Sequence, residues 1–557
     1  MSSAETGPGI SEDLAYPTLS RRQLDLLFDL GVVEDVTVGQ VIHRIGDETY
    51  DLVVIADGEV EVVREATADA PEEVIATFGP GAFLGELGLL TGQTVYLSAR
   101  AVRNSRIYRL STENFHRLMA TEADIADIIL AAFRARRHIL KYAAAQTIEI
   151  IGSSFSADSM SLRTYVARLE LPHSWLDIDT PEAKFLMDVS ALSVDDLPAV
   201  LLPGEKLLKA TPAELARSLG LSYRKGRSED ADLVVVGGGP AGLAATVNGS
   251  SEGLATVMLD AVGPGGQAAA SSRIENYLGF PHGLSGAELT RLALVQVLKF
   301  GAHVYSPSTV VALGTGADRL AVLLSDGTEI PARAAIIATG ARYRSLPIDR
   351  WKEFEHAGIY YAATEMEARS CARKEVAVVG GANSAGQAAV FLAGRGCMVH
   401  LVVRSEDLSA RMSSYLVNRI SVHPRISVHT STEVTELRGG TSLEAVRLAN
   451  SSHHEEAVVP CCGLFCFIGA YPASGWLNGC CSTDGKGFIY TGIHIPDKNL
   501  GPQWKILGRD PLPFETSMPG VFAVGDVRYG SIKRVAAAVG EGASAISSVH
   551  QVVGARL

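Results

Sequence analysis

Short stretches of alternating apolar and polar residues fill the first part of the chain. Between residues 34 and 110 the runs VIHRI, DLVVIADGEVEVV, VIATF and SARAVRNSRIYRL read as strands, parted by turn signals at Asp57-Gly58 and Gly79-Pro80-Gly81. A small β-roll is expected. The period then lengthens: Phe115, Leu118, Ile125, Ile128, Ile129 and Phe133 give residues 112–145 a helical stripe that starts near Thr112 or Glu113. From residue 147 strand and helix patterns mix. TIEIIGS reads as a strand, SADSMSLRTYVARL as an amphipathic helix, and HSWLDID and LPAVLL as further strands. A last helix runs through TPAELARSLGL, with Thr211 as N-cap and Glu214 three residues on. After the polar linker SYRKGRSEDA, two apolar strands each run into a glycine turn and a helix of small residues. These are DLVVVGGGPAGLAAT from Asp232 and VAVVGGANSAGQAAVFLA from Val376.

Composition narrows the classes. A chain of 557 residues is too long for one core and suggests about three to five domains. The 49 Lys and Arg against 62 Asp and Glu leave a net charge of −13 with no basic tract. Nucleic acid and anionic lipid are therefore not expected partners. No run of about 18 consecutive apolar residues occurs, so no membrane span is expected. The start, MSSAETGPGISEDLAYPTLS, lacks the basic and apolar regions of a secretory signal, which makes the chain a cytoplasmic one by expectation. The seven cysteines run from Cys371 to Cys481, and their odd number argues against an extracellular disulfide framework. The vicinal pairs Cys461-Cys462 and Cys480-Cys481 lack the two-residue gap of a zinc knuckle or a redox turn. Buried, inert thiols and no metal site are expected.

Chemistry enters with the first glycine turn. Gly237, Gly239 and Gly242 have G-x-G-x-x-G spacing, and Asp260 follows 23 residues after Gly237, suitably placed for a ribose hydroxyl. That spacing implies a dinucleotide. Further on lie G265-G266-Q267, IENYLGFP, I336-I337-A338-T339-G340 and PGVFAVGD, which ends in Gly525-Asp526. Together these residues resemble the low-molecular-weight thioredoxin reductase family across residues 231–557. The resemblance implies FAD in a first Rossmann fold, interrupted by a second Rossmann fold that holds NADPH. It assigns FAD contacts to Gly237, Gly239, Gly242, Asp260, Gly266, Gln267, Asn276, Thr339, Gly340, Gly525, Asp526, Val535 and Ala536, with Asp526 on the ribityl chain.

The same resemblance assigns NAD(P)H contacts to Gly380, Gly381, Asn383, Ser384, Ala385 and Arg404. Ala382 stands where the second glycine of the loop is expected. The family's H-R-R-x-x-x-R clamp for the ribose 2′-phosphate is reduced to Val403, Arg404, Ser405 and Ser409, with Arg411 nearby as a substitute. A 2′-phosphate wants cationic, bidentate partners. No acidic residue ends the strand for an unphosphorylated ribose, so NADPH stays ahead and NADH stays open. At the family's redox C-A-T-C the sequence reads A362-A-T-E365. Alanine cannot attack a disulfide, and thiol exchange needs a thiolate. No residue is assigned as catalytic. Glu365 reads equally as a proton relay near the flavin or as a solvated helix residue, and Cys371 as an inert helix-end or surface cysteine.

Two further resemblances cover the N-terminal part. FGPGAFLGELGLLTGQTVYLSA is similar to the phosphate-binding cassette of cyclic-nucleotide-binding domains, over roughly residues 20–140. In that family a glutamate bonds the ribose and an arginine about ten residues on pairs with the cyclic phosphate. Gly85 and Glu86 are the matching candidates, but Val95 or Tyr96 stands where the arginine belongs, and Arg100 and Arg103 are the nearest substitutes. Cyclic nucleotide is thus disfavoured against a docking or dimerisation role. Residues 147–222 resemble a glutaredoxin with Ser156 and Ser159 in place of the C-x-x-C and Leu197-Pro198 in place of its cis-proline.

The expected architecture is multidomain: an N-terminal β-roll plus helix (1–146), a thioredoxin-like α/β unit (147–222), a linker (223–230), and two Rossmann-like three-layer α/β domains. The first of these is split into 231–348 and 467–557, and the second spans 349–466. The expected activity is that of an NAD(P)H-dependent flavoprotein oxidoreductase that passes electrons to a protein carrier, a quinone or a small disulfide. A thioredoxin-disulfide reductase using other thiols and a redox or nucleotide sensor are the alternatives. A homodimer is expected from the resemblance and from the long helix after the β-roll.

Overall fold

The computed structural model describes residues 12–554, apart from 48–50, 67–70, 92, 144–147, 154–155, 224–230, 272–273, 275–276, 317–318, 356–357, 362, 364–367, 369–370, 372 and 441. The chain falls into two units, Met1–Gly340 with Ser474–Leu557, and Ala341–Ala473.

In the first unit, β-branched residues build the strands β1 (Val32–Val36), β2 (Val41–His43), β3 (Leu52–Asp57), β4 (Val60–Arg64), β5 (Glu73–Phe78), β6 (Phe83–Leu84), β7 (Ser98–Ala101) and β8 (Ser105–Leu110). They pair antiparallel in two sheets, ordered β1-β8-β3-β6 and β2-β7-β4-β5, as the alternation requires. The helical stripe that follows is two helices, Thr112–Thr121 and Ala123–Ala143, because Glu122 leaves helical geometry at φ −112°, ψ 79°. Ser111, ahead of Thr112 and Glu113, caps the first by accepting the Asn114 N–H at 3.3 Å. Phe115, Leu118, Ile125, Ile129 and Phe133 share a core with Leu52, Val54 and Phe83, and with Val295 and Leu298 from the helix Gly286–Lys299. The β-roll and the dinucleotide fold are therefore joined by apolar packing, with Lys299 and Asp127 paired at its edge, 3.0 Å apart.

The next segment forms β9 (Glu149–Gly152), β10 (Ser174–Asp177), β11 (Ala199–Leu202) and β12 (Glu205–Leu207) in the order β10-β9-β11-β12. β9 and β10 are parallel, β9 and β11 antiparallel. The helix Ala157–Arg168 joins the parallel pair, and the helix Pro212–Ser218 closes the segment behind a Thr211/Glu214 capping box. The sequence reading did not anticipate a helix at Pro181–Val189, although Thr180 caps it and Pro181 occupies its first turn. Leu197-Pro198 is cis, and Ser306-Pro307, which the sequence reading did not single out, is cis too. The buried Tyr165 donates to the Ser306 carbonyl at 2.9 Å, and Arg168 to the Gly263 carbonyl at 3.1 Å. The two contacts fix this segment beside the turns that follow the strands Thr256–Leu259 and His303–Tyr305 of the dinucleotide fold.

That sheet runs β15-β14-β13-β18-β17-β16, from β13 (Ala231–Val236), β14 (Thr256–Leu259), β15 (His303–Tyr305), β16 (Val310–Thr315), β17 (Leu320–Leu324) and β18 (Glu329–Ile337). The strand Val521–Ala523 lies parallel to β18. The carboxyl ends of β13, β14, β18 and Val521–Ala523 gather four candidate segments: the glycine turn, Asp260, Thr339-Gly340 and Gly525-Asp526. Dinucleotides bind at such strand ends in open parallel sheets.

The second unit contains β19 (Ala341–Tyr343), β20 (Ile359–Tyr360), β21 (Glu375–Val379), β22 (Met398–Val402), β23 (Ile426–His429), β24 (Thr432–Gly439), β25 (Leu443–Asn450), β26 (Glu456–Pro460), β27 (Leu464–Cys466) and β28 (Ala470–Pro472). A parallel sheet, β20-β27-β21-β22-β23, carries the second glycine turn, and β24-β25-β26 form an antiparallel flap. The unit is wider than the 349–466 read from the sequence, because β19 and β28 pair antiparallel and draw both crossing segments into it. Among the described residues, no helix is long and apolar enough to cross a membrane.

Candidate cofactor-binding site

In the first unit, β13 runs into Gly237 at φ +109°, where a Cβ would lie 2.4 Å from the Ala338 carbonyl oxygen. Gly242 lets the helix Pro240–Ser251 close onto the turn, since a Cβ there would meet the Gly237 carbonyl oxygen at 1.8 Å. Gly239 is different. Its φ of −74° suits any residue, and the nearest other atom to a Cβ there is the Gly266 Cα at 3.9 Å. Gly266 in turn stands at φ +54°, with its Cβ position 2.9 Å from the Gly239 Cα, so the two loops meet backbone to backbone. The open space in front of Gly239 at a helix N-terminus is a cradle that a Cβ would fill, and it fits a pyrophosphate.

Asp260 plays a part the spacing alone did not show. Its Oδ2 accepts the Gly238 N–H at 2.7 Å, and its Oδ1 accepts the N–H groups of Val262 and Gly263 at 2.9 and 2.7 Å. A carboxylate offers about four acceptor positions. Asp260 thus ties the glycine turn to the 262–263 turn first, and keeps one position for a ribose hydroxyl. Gln267 is exposed, while Thr339 and Gly340 are half-buried.

At the end of the strand Val521–Ala523, Gly525 sits at φ +73° with its Cβ position 2.9 Å from the Ala241 Cβ. Its N–H donates to Glu541 at 2.7 Å, and Glu541 also holds Arg528 at 2.7 Å. Neither Glu541 nor Arg528 was singled out from the sequence; Glu541 lies on the same helix as Val535 and Ala536, Val535–Gly554, and helical spacing was the only signal. Asp526 is half-buried, and burial raises its carboxyl above the usual range, with the Lys533 ammonium opposing and Glu541 adding to the rise. A desolvated carboxylate of this kind is a strong acceptor for a sugar hydroxyl.

The second unit repeats the first turn with one change. Gly380 stands at φ +145°, its Cβ position 2.7 Å from the Phe467 carbonyl oxygen, and a Cβ at Gly381 would touch Val403 at 3.0 Å. Ala382 caps the helix Asn383–Gly394 at φ −107°, ψ 176°, extended geometry that any residue adopts. Its methyl is exposed and costs the backbone nothing. Asn383 accepts the Ser413 N–H at 2.8 Å, Ser384 is exposed and Ala385 is buried. Arg404 and Arg411 are both exposed, and Ser405 donates to the Asp407 carbonyl at 2.9 Å. Of the remaining sequence candidates, Asn276, Ala362 and Glu365 lie outside the described residues.

In the β-roll, the cassette is filled by its own chain. Glu86 is buried, accepts the Gly88 N–H at 2.5 Å, and pairs at 2.8 Å with Arg137 from the helix Ala123–Ala143. Arg137 also donates to the Tyr96 hydroxyl at 3.0 Å. Arg136 donates to the carbonyls of Gly85 and Ala15, both at 2.7 Å, and lies 4.6 Å over the Phe83 ring. The cavity lined by Gly85, Glu86, Tyr96 and Arg136 measures about 60 Å³, against ~300 Å³ or more for a small-molecule pocket. The expected substitutes do not reach in. Arg100 faces its cross-strand partner Glu61 at 2.5 Å, and Arg103 pairs with Glu59 at 3.3 Å.

Residues 231–542, more than half of the chain, match the pyridine nucleotide-disulphide oxidoreductase family. The chain belongs to that family. Residues 33–122 match the cyclic nucleotide-binding domain. Among curated relatives, the chain is 30% identical over 323 residues to thioredoxin reductase of Bacillus subtilis, covering 58% of this chain and 94% of that one. It is 32% identical over 317 residues to a component of the alkyl hydroperoxide reductase of Pseudomonas putida, 56% of each chain. The solved thioredoxin reductase of Streptococcus pyogenes superposes with a TM-score of 0.50 at 27% identity, over 59% of this chain and 99% of that one.

In this pyridine nucleotide-disulphide oxidoreductase the cysteines divide by surroundings. Cys461 and Cys466 are buried and pushed up to about 12 by that burial. Cys480 and Cys481 lie side by side, sulfurs 3.9 Å apart. Cys371 is buried rather than at the surface, and it shares an apolar cluster with the half-exposed Cys462.

Proposed function

We infer that this oxidoreductase uses FAD and NADPH, with NADH as second choice, to reduce an acceptor other than a dithiol of its own at positions 362 and 365. When bound, FAD and NADPH supply hydride transfer and two-electron storage. The chain supplies placement. Gly237, Gly239 and Gly266 leave room for the pyrophosphate, Asp260 offers its last acceptor position to the ribose, and Asp526 accepts from the ribityl chain. Gly380, Gly381, Asn383, Ser384 and Ala385 form the matching seat for the nicotinamide dinucleotide, with Arg404 toward a 2′-phosphate. The N-terminus of the helix Val535–Gly554, close after Lys533, brings positive potential to the end of the site at Asp526.

The observation that carries this reading is a contrast. The glycine cradle of the first fold is intact in backbone geometry, while the sequence offers alanine and glutamate where a dithiol is needed. The acceptor is then a protein electron carrier, a quinone or a small disulfide. Anaerobic addition of NADPH to the purified yellow protein tests it: rapid bleaching of the flavin is expected, slower with NADH. No bleaching with either nucleotide sinks the reading in favour of a sensor.

A further inference from the structure

We propose that Cys371 and Cys462 are a thiol–disulfide exchange pair in the nucleotide-binding unit, with Cys462 as attacking thiol, Cys371 as resolving thiol and a small disulfide as oxidant. This is independent of the flavin reading, since the exchange needs no nucleotide.

The start of β21 brings the pair together. The Lys374 N–H bonds the Cys371 carbonyl at 3.0 Å, closing a turn that leads into β21. The Cys462 N–H bonds the Glu375 carbonyl at 3.0 Å, one residue further along. Gly463 completes the juxtaposition, because a Cβ there would lie 3.0 Å from the Cys371 Sγ. The two side chains share one apolar cluster, with Cys371 in its buried part and Cys462 packed against it. Cys397 closes the buried side by directing its Sγ at the Cys371 carbonyl, 3.3 Å away.

The surroundings separate the roles. Cys371 is 2% exposed and Cys462 half-exposed, so a disulfide from solvent meets Cys462. The neighbouring Cys371 thiol brings the Cys462 thiol down to about 7, with burial opposing and the Lys374 ammonium helping. The Cys462 thiol, with burial, in turn raises Cys371. An accessible low-pKa thiol backed by a buried thiol is the arrangement thiol exchange favours.

The step balances. The Cys462 thiolate attacks one sulfur of a disulfide RSSR, forming a mixed disulfide and releasing RS⁻. Cys371 gives up its proton and attacks Cys462 Sγ, forming the Cys371–Cys462 bond and releasing the second RS⁻. The two cysteines lose two electrons, RSSR gains them, and the two protons leave with the released thiols.

The test incubates the full-length protein with oxidised glutathione, alkylates the remaining thiols and maps them by mass spectrometry. Wild type is expected to lose two thiols and give a Cys371–Cys462 linked peptide that dithiothreitol reverses. Cys371→Ser is expected to hold glutathione on Cys462, and Cys462→Ser to take none at Cys371. In wild type, Cys462 alkylation at pH 7 should exceed that of an ordinary thiol by about tenfold, and Lys374→Met should reduce that advantage. A wild-type chain that keeps glutathione on Cys462 without the cross-link, or a Cys462 that never reacts, overturns the proposal.

Discussion

Gly237 and Gly239 are two residues apart and need glycine for different reasons. Gly237 has a left-handed backbone and a carbonyl against its Cβ position, so Gly237→Ala should cost about 1–3 kcal/mol and lower the melting temperature. Gly239 has neither restraint. Gly239→Ala should melt like the parent yet retain flavin about tenfold less tightly, read as absorbance after dialysis; unchanged retention would place the pyrophosphate elsewhere. Arg404 is the surviving residue of a three-arginine pattern, so Arg404→Ala should raise the KM for NADPH about tenfold and leave that for NADH alone. Equal effects on both nucleotides would remove Arg404 from the 2′-phosphate. The places of these glycines, Asp260 and Arg404 at the turns and strand ends were legible in the sequence because spacing within one turn or one strand end sets them. Glu541, Arg136 and Arg137 were not, since each acts on a backbone or side chain brought close only by folding.

The β-roll shows what a helix does to an inherited pocket. The helix Ala123–Ala143 carries Arg137 onto Glu86, with side chains 5% and 11% exposed, and Tyr96 receives a bond from the same guanidinium. Removing one partner of a buried pair strands the other charge, so Arg137→Ala should destabilise the β-roll by about 3 kcal/mol. Titration calorimetry with cyclic AMP and cyclic GMP should give no heat; saturable heat with either would show that the 60 Å³ cavity opens. His43 lines the same cavity, and burial, helped by Arg109 and opposed by Asp47, depresses it to about 4. Its folded value lies below its unfolded value of 6.5, so its contribution to stability is full above pH 6.5 and fades as pH falls toward 4. The melting temperature of the β-roll should fall across that window, and His43→Gln should flatten the fall. At this scale the alternation of apolar positions revealed most strands. It missed β1, whose VVEDV is mostly exposed, and left Arg100 and Arg103 as candidates although cross-strand neighbours claim them.

Across the whole molecule, the N-terminal modules are packed onto the flavin-type fold rather than tethered to it. Val295 and Leu298 belong to one core with the helices of the β-roll, and Tyr165 and Arg168 grip the turns at Ser306 and Gly263. The second unit spans Ala341–Ala473 and is entered and left through the β19–β28 pair. The succession of a β-rich N-terminal domain and Rossmann-type α/β folds was legible because each begins with its own pattern. The extra width of the second unit was not, since β19 and β28 are three-residue strands without a periodic signal. The central claim is that electrons reach an acceptor without a dithiol at positions 362 and 365. Its most direct test is steady-state NADPH oxidation by the flavin-loaded protein, with oxidised thioredoxin, a quinone and a one-electron protein carrier offered separately. Turnover with the quinone or the carrier at least about tenfold above that with thioredoxin is predicted, about 1.4 kcal/mol in barrier. Thioredoxin reduced as fast as, or faster than, both would contradict the account.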